Sequence, residues 1–125
     1  MIAADTSSMV AFLQGERGTD VDRVKLALSG DQLVLPPPVL TELLSDPGVD
    51  EKLAAELTTI RSRFVAPGYW ARAGQLRAAV LAAKRRARLG DALIAQFCLD
   101  TGLPIITRDR DFRGFAAVSA LEIVP

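Results

Sequence analysis

Apolar residues fall along this chain in short unbroken clusters, separated by longer segments with helical spacing. Met1–Ala4 is the first cluster and stops at Asp5, so it predicts a strand that runs straight into a carboxylate. Thr6-Ser7-Ser8 then opens a stretch with Met9, Val10, Phe12 and Leu13 apolar, closed by Gly15, which is the pattern of strand, polar turn and helix. Thr19-Asp20 opens a second helix through Leu28, with Val21, Val24 and Leu28 on one side and Gly30 at its end. Leu33-Val34-Leu35 reads as a second strand, closed by Pro36-Pro37-Pro38 because proline cannot continue a ladder. A short helix follows from Val39 to about Ser45, ended by the Asp46-Pro47-Gly48 turn.

Asp50 begins another helix, in which Leu53, Leu57 and Ile60 recur on one face. Phe64-Val65-Ala66 is a weak strand before Pro67-Gly68. A long alanine-rich helix runs from about Tyr69 to Arg88, Gly90 breaks it, and Asp91 starts the next helix, which ends at Gly102. Pro104–Thr107 and Leu121–Val124 are the remaining strands. Short apolar strands alternating with helices define an α/β class with a short, mainly parallel central sheet flanked by helices. The strands lack polar alternation, as expected when helices cover both faces. A chain of 125 residues fits one domain, 1–125, with one core.

Composition narrows the chemistry. Half of the residues (50%) are hydrophobic, which argues against disorder. The longest charge-free stretches, Thr6–Gly15 and Gln32–Thr41, have 10 residues each, against the roughly 20 a membrane helix needs. Asp5 interrupts the place where a signal peptide would start, and a cytoplasmic, membrane-free protein is expected. The lone Cys98 lies in an apolar run and reads as core packing in a reducing compartment. Histidine is absent. That excludes Ser–His–Asp and Cys–His nucleophilic sites and HExxH zinc sites, and with one cysteine it leaves no conventional structural zinc. Carboxylates, a hard metal ion or both must then carry any catalysis.

The net charge is zero, yet the charges are unevenly spread. Between Leu57 and Gly90 there is no acidic residue, and eight of the 15 basic residues fall there: Arg61, Arg63, Arg72, Arg77, Lys84, Arg85, Arg86 and Arg88. A solvated helix face and a phosphate-attracting surface explain this segment equally well.

Four acidic positions are candidates for chemistry, and two of them, Asp5 and the Asp109/Asp111 turn, follow strands directly, where sheets of this kind bind ligands. Asp5 follows the first strand, where an N-cap explains it as well as a functional role does. Glu42, in Val39-Leu40-Thr41-Glu42-Leu43-Leu44, borders an apolar stripe, where a carboxylate is costly unless paired or metal-bound. A partly exposed glutamate in the first helical turn, favoured by the helix dipole, is the plainer alternative. Asp91 begins a helix in Gly90-Asp91-Ala92-Leu93-Ile94-Ala95, again as an N-cap or a ligand. Asp109 and Asp111 follow the Pro104–Thr107 strand, in a polar turn or at a shared cleft.

Taken in order, these motifs resemble the PIN-domain family, and within it the short toxins of the VapC type, from Ile2 to about Val124. The carrying residues are Asp5-Thr6-Ser7, Glu42 in an apolar helix, Asp91-Ala92-Leu93-Ile94-Ala95, and Thr107-Arg108-Asp109-Arg110-Asp111-Phe112. The resemblance implies a PIN-like domain in which Asp5, Glu42, Asp91 and Asp109 meet in one cleft, with Asp111 in reserve for the last position. Ser7 and Thr107 match the family's supporting hydroxyls. It implies a metal-dependent endoribonuclease, the toxin of a VapBC-like toxin–antitoxin pair. Asp5 and Asp91 would be the principal ligands of Mg2+, or of Mn2+ in its place. The implied partners are an RNA substrate, held in part by Arg85, Arg86 and Arg88, a cognate VapB-like antitoxin that covers the cleft, and a second copy in a homodimer. Tyr69 and Trp70 would serve such an interface or, more simply, the core.

Rival readings fail on particular residues. A haloacid-dehalogenase-type phosphatase needs an acid two residues after the first Asp, where Ser7 stands. A receiver domain needs a phospho-accepting Asp after the middle strand, where Pro36–Pro38 stand. A PIN-like module that binds RNA or a partner without cutting remains the alternative from another functional class.

Overall fold

The computed structural model of the chain describes residues 1–125. Its sheet has three short parallel strands in the order β2-β1-β3, with β1 (Ile2–Ala4) between β2 (Leu33–Val34) and β3 (Ile105–Ile106). Ile2 lies opposite Leu33 and Ala3 opposite Val34 on one side, while Ala3 faces Ile105 and Ala4 faces Ile106 on the other. Parallel neighbours require crossover connections, and helices supply them. Two helices, α1 (Thr6–Leu13) and α2 (Thr19–Ser29), join β1 to β2. Four more separate β2 from β3: α3 (Pro37–Leu44), α4 (Glu51–Thr59), α5 (Tyr69–Ala82) and α6 (Leu89–Thr101). A last helix, α7 (Phe112–Ala117), follows β3. The architecture is the expected α/β one, a short parallel sheet flanked by helices.

The small residues of the central strand explain how helices approach it closely. Ala3 and Ala4 are wholly buried, and around them pack Met9, Val34, Leu35, Ile94, Phe97, Ile105, Phe112 and Phe115. Helix α5 packs along α6, where Tyr69 is fully buried and its hydroxyl donates to the Leu93 carbonyl (2.6 Å). Cys98 is buried in α6, as expected, and burial pushes its thiol up to about 12. No helix is long and apolar enough to cross a membrane.

Several expected elements differ. The segment 64–66 forms no strand, and Phe64 is fully exposed; the sheet's only extension on that side is a single bridge between Val34 and Arg61. Leu121–Val124 likewise contributes one bridge, Ile123 to Ile105, rather than a strand. The proline run closes β2, and Pro37 and Pro38 also start α3, whose first turn needs no N–H from them. The second helix buries Val21, Val24 and Ala27 and leaves Leu28 exposed.

The long helix ends at Ala82, six residues before Arg88. Lys84 adopts a left-handed conformation (φ 62°), and Arg77 Nε donates to the Ala87 carbonyl (2.8 Å), which holds the 83–88 loop against α5. Gly90 is no breaker, since α6 begins at Leu89 with Arg88 as its cap residue. Trp70 is two-thirds exposed (67%), so of the aromatic pair only Tyr69 belongs to the core.

Candidate active site

The carboxylates collect where β1 and β3 end and α6 begins. Asp5 is the N-cap of α1 and is itself almost fully buried. Its Oδ1 accepts the Ser8 backbone N–H (2.9 Å), the Ser7 hydroxyl donates to both oxygens (2.9 and 2.8 Å), and Thr107 Oγ1 donates to Oδ2 (2.6 Å). The cap and the site position therefore coincide in one residue. Burial pushes the Asp5 carboxyl above its ordinary value, and nearby Asp109 adds to the rise; the hydrogen bonds from Thr107, Ser8 and Ser7 oppose it.

Thr107, the residue after β3, links both strand ends. While it donates to Asp5, its Oγ1 accepts the Asp109 N–H (3.0 Å), and Asp109 Oδ1 in turn accepts the Asp111 N–H (2.9 Å). These turn bonds orient Asp109 and Asp111 toward α6. Carboxylate oxygens of Asp91, Asp109 and Asp111 lie within 4.8 Å of one another.

Asp91 does not cap α6. It is the third residue of that helix, and its Oδ2 is buried with no hydrogen-bond partner. Its carboxyl is pushed up to about 6, first by burial and then by the charges of Asp109, Asp5 and Glu42; Arg88 pulls the other way. Asp5 and Glu42 thus lie within electrostatic reach of the group, outside its tightest trio.

Glu42 is not in the first turn of its helix, nor is it buried. It stands in the second turn of α3, is exposed, and accepts the Thr6 hydroxyl (2.9 Å). Gly90 lies beside it, and a Cβ there would be 3.6 Å from Glu42 Oε1, in ordinary van der Waals contact. Beyond them opens an apolar groove of about 520 Å³, lined among others by Pro38, Phe64, Val65, Tyr69, Trp70 and Leu93, with Glu42 and Gly90 at the end nearer the carboxylates.

Of the eight basic residues in the acid-free segment, some are structural. Arg61 pairs with Asp31 (2.7 Å), Arg72 binds Asp100 through two nitrogens (3.1 and 2.6 Å), and Arg77 holds the 83–88 loop. Arg85 packs against α7 at Gly114, where a Cβ would meet Val80 Cγ1 at 3.2 Å and Arg85 Cδ at 3.4 Å. Arg86 reaches Asp111 at 4.0 Å, and Arg88 is exposed at the start of α6. Arg110, exposed on the turn that carries Asp109 and Asp111, and Arg113, exposed in the first turn of α7, add two more cations beside the acidic residues. Sequence reasoning missed them, although their alternation with Asp109, Asp111 and Phe112 was a readable signal.

A buried carboxylate oxygen without a partner and an all-oxygen donor set fit a hard divalent cation. The residues present suit Mg2+ or Mn2+ and lack the nitrogen and sulfur ligands that zinc prefers. The chain is thus an α/β domain with a short parallel sheet and an acidic group gathered near the carboxyl ends of β1 and β3. The family model of the PIN domain matches residues 2–118, and the chain belongs to that family. No curated protein matches it.

Proposed function

We propose that the chain is a metal-dependent endoribonuclease, active as a PIN domain spanning 1–125, and the toxin of a VapBC-like toxin–antitoxin pair. The observation that carries this reading is Asp91, a partly buried carboxylate with an unpartnered Oδ2, set among Asp109 and Asp111. Leaving such an acceptor unpaired costs about 1–3 kcal/mol, and crowding three carboxylates adds repulsion. A bound divalent cation removes both penalties.

In this reading Asp91, Asp109 and Asp111 hold the ion, and Asp5 and Glu42 complete the site directly or through water. Ser7 and Thr107 hold the buried Asp5 carboxyl in place through their hydroxyls. When bound, Mg2+ or Mn2+ polarises a phosphodiester and lowers the pKa of a bound water. Glu42, exposed at the edge, orients the attacking water. Arg85, Arg86 and Arg88, with Arg110 and Arg113, attract the RNA backbone to the mouth of the cleft.

The cognate antitoxin would cover the cleft and seat apolar side chains in the groove beside Trp70 and Phe64. A homodimer and a cytoplasmic location complete the proposal. Its test is cleavage of a mixed pool of total and transfer RNA by purified protein, with Mg2+, with Mn2+ and with EDTA, beside Asp91→Asn. Discrete fragments that require both the metal and Asp91 support the nuclease. Binding of RNA by folded protein without any cleavage would assign it to the non-cutting class instead.

A further inference from the structure

Asp5 and Asp109 reach the cleft from different strands, so their spacing depends on what ties the two strand ends together. One tie is direct, through Thr107. A second runs outside the cleft. Ser8, wholly buried, gives its backbone N–H to Asp5 Oδ1 (2.9 Å) and its hydroxyl to Asp20 Oδ2 (2.8 Å). Asp20, in the first turn of α2, accepts Arg108 Nε–H at Oδ2 (2.8 Å) and Nη2–H at Oδ1 (3.1 Å). Arg108 stands between Thr107 and Asp109, so the circuit Asp5–Ser8–Asp20–Arg108–Thr107–Asp5 is closed.

The loop between α1 and α2 is shaped around this contact. Arg108 Nη2 also donates to the Arg17 carbonyl (3.2 Å), and its Nη1 is 3.6 Å from Glu16. At Gly18 a Cβ would stand 2.5 Å from Asp20 Oδ1 and 3.0 Å from Arg108 Nη2, so only glycine leaves room for the fork. The guanidinium is planar and delivers two parallel hydrogen bonds, a geometry an ammonium cannot reproduce.

We infer that Arg108 is a positioning residue: through Asp20 and Ser8 it fixes the spacing of Asp5 and Asp109, and with it the affinity of the carboxylate group for a divalent cation. The inference rests on the metal-site reading above. The pair Arg72–Asp100 is the natural control, because it has the same two-nitrogen geometry at the far end of α6, roughly 13 Å from Asp91 along the helix.

The experiment compares the parent full chain with Arg108→Gln, Arg108→Lys and Arg72→Gln. Mn2+ binding is measured by calorimetry, and exchange of the Ser8 and Asp109 amide protons is followed in EDTA. Arg108→Gln should bind Mn2+ about 10-fold more weakly or worse, and both amides, which donate into the circuit, should exchange faster. Arg108→Lys keeps the charge without the fork and should fall between the two. Arg72→Gln should match the parent in both readouts, whatever stability it loses. Parental affinity and exchange in Arg108→Gln would overturn the inference, as would an equal loss in Arg72→Gln or full rescue by lysine. Weakened affinity with unchanged exchange also overturns it, since charge alone would then act. If the parent binds no Mn2+, the metal reading fails, and amide exchange alone decides whether Arg108 fixes the spacing.

Discussion

Asp91→Asn should make the metal-free protein more stable at neutral pH. The parent carboxyl is raised from 3.8 to about 6 by burial and by the charges of Asp109, Asp5 and Glu42. A group raised in the folded state contributes stability that is fully present below its unfolded value and is lost as pH climbs through the folded one. For Asp91 the loss falls between 3.8 and about 6. In full this is about 3 kcal/mol, and solvent contact at the cleft reduces it to ~1–2 kcal/mol.

Asparagine cannot ionise, so the variant escapes the loss. Asp20 and Asp100, held below their ordinary values chiefly by Arg108 and Arg72, act in the opposite sense; their stabilisation disappears only as pH falls below 3.8. That contribution is common to both proteins and cancels. Thermal unfolding in EDTA near pH 7.5 should therefore show the variant roughly 4–8 °C above the parent, with the gap closing near pH 4. Saturating Mn2+ should reverse the order, because the ion stabilises the parent by about 2.7 kcal/mol at 100 times its Kd and the variant far less. A gap independent of pH, or a variant less stable than the parent at neutral pH, would refute the account of a strained carboxylate group.

Three further outcomes follow from geometry elsewhere. Tyr69→Phe leaves the ring between α5 and α6 and removes only the hydroxyl donated to Leu93, so urea denaturation should show a loss of about 1–2 kcal/mol with an unchanged m-value. Cys98, buried and with its thiol pushed up to about 12, should resist thiol reagents in the native protein and react at once in denaturant; rapid native labelling would contradict its placement. Replacing Arg86 and Arg88 by Gln should flatten the dependence of RNA affinity on salt, by roughly 0.7 in log–log slope for each phosphate of a single strand that is no longer neutralised. An unchanged slope would place the RNA elsewhere.

The strand ends and their acids were legible because two local rules agree there. Asp5 follows an apolar strand and caps the next helix, and Asp109 and Asp111 follow another strand in a turn too polar to be buried. What could not be read was set by distant parts of the chain. Lys84, Arg85 and Arg86 are good helix formers, and nothing local stops α5 at Ala82; the stop comes from Arg77 gripping Ala87 and from Gly114 admitting Arg85. Phe64-Val65-Ala66 has the composition of a strand, but the chain leaves the edge of β2 after the single Val34–Arg61 bridge and does not pair there. Helix α7 is only six residues long, too short for periodicity to declare itself, though Phe112, Phe115 and Ala116 share its buried side. Glu42 and Asp91 both stand beside apolar residues in sequence, yet the fold treats them differently: Glu42 lies open to solvent, and Asp91 alone has the orphaned oxygen.

The hydrogen bond from Thr107 to Asp5 spans 102 positions in sequence. During synthesis, Asp5 is therefore made long before the turn that orients Asp109 and Asp111. At ~5–20 residues per second the interval is about 5–20 s. Until then β1 can pair with β2 only, and the carboxylate group lacks two of its three members. The carboxylate group is thus completed only once the chain has been made past Asp111, however early Asp5 is in place.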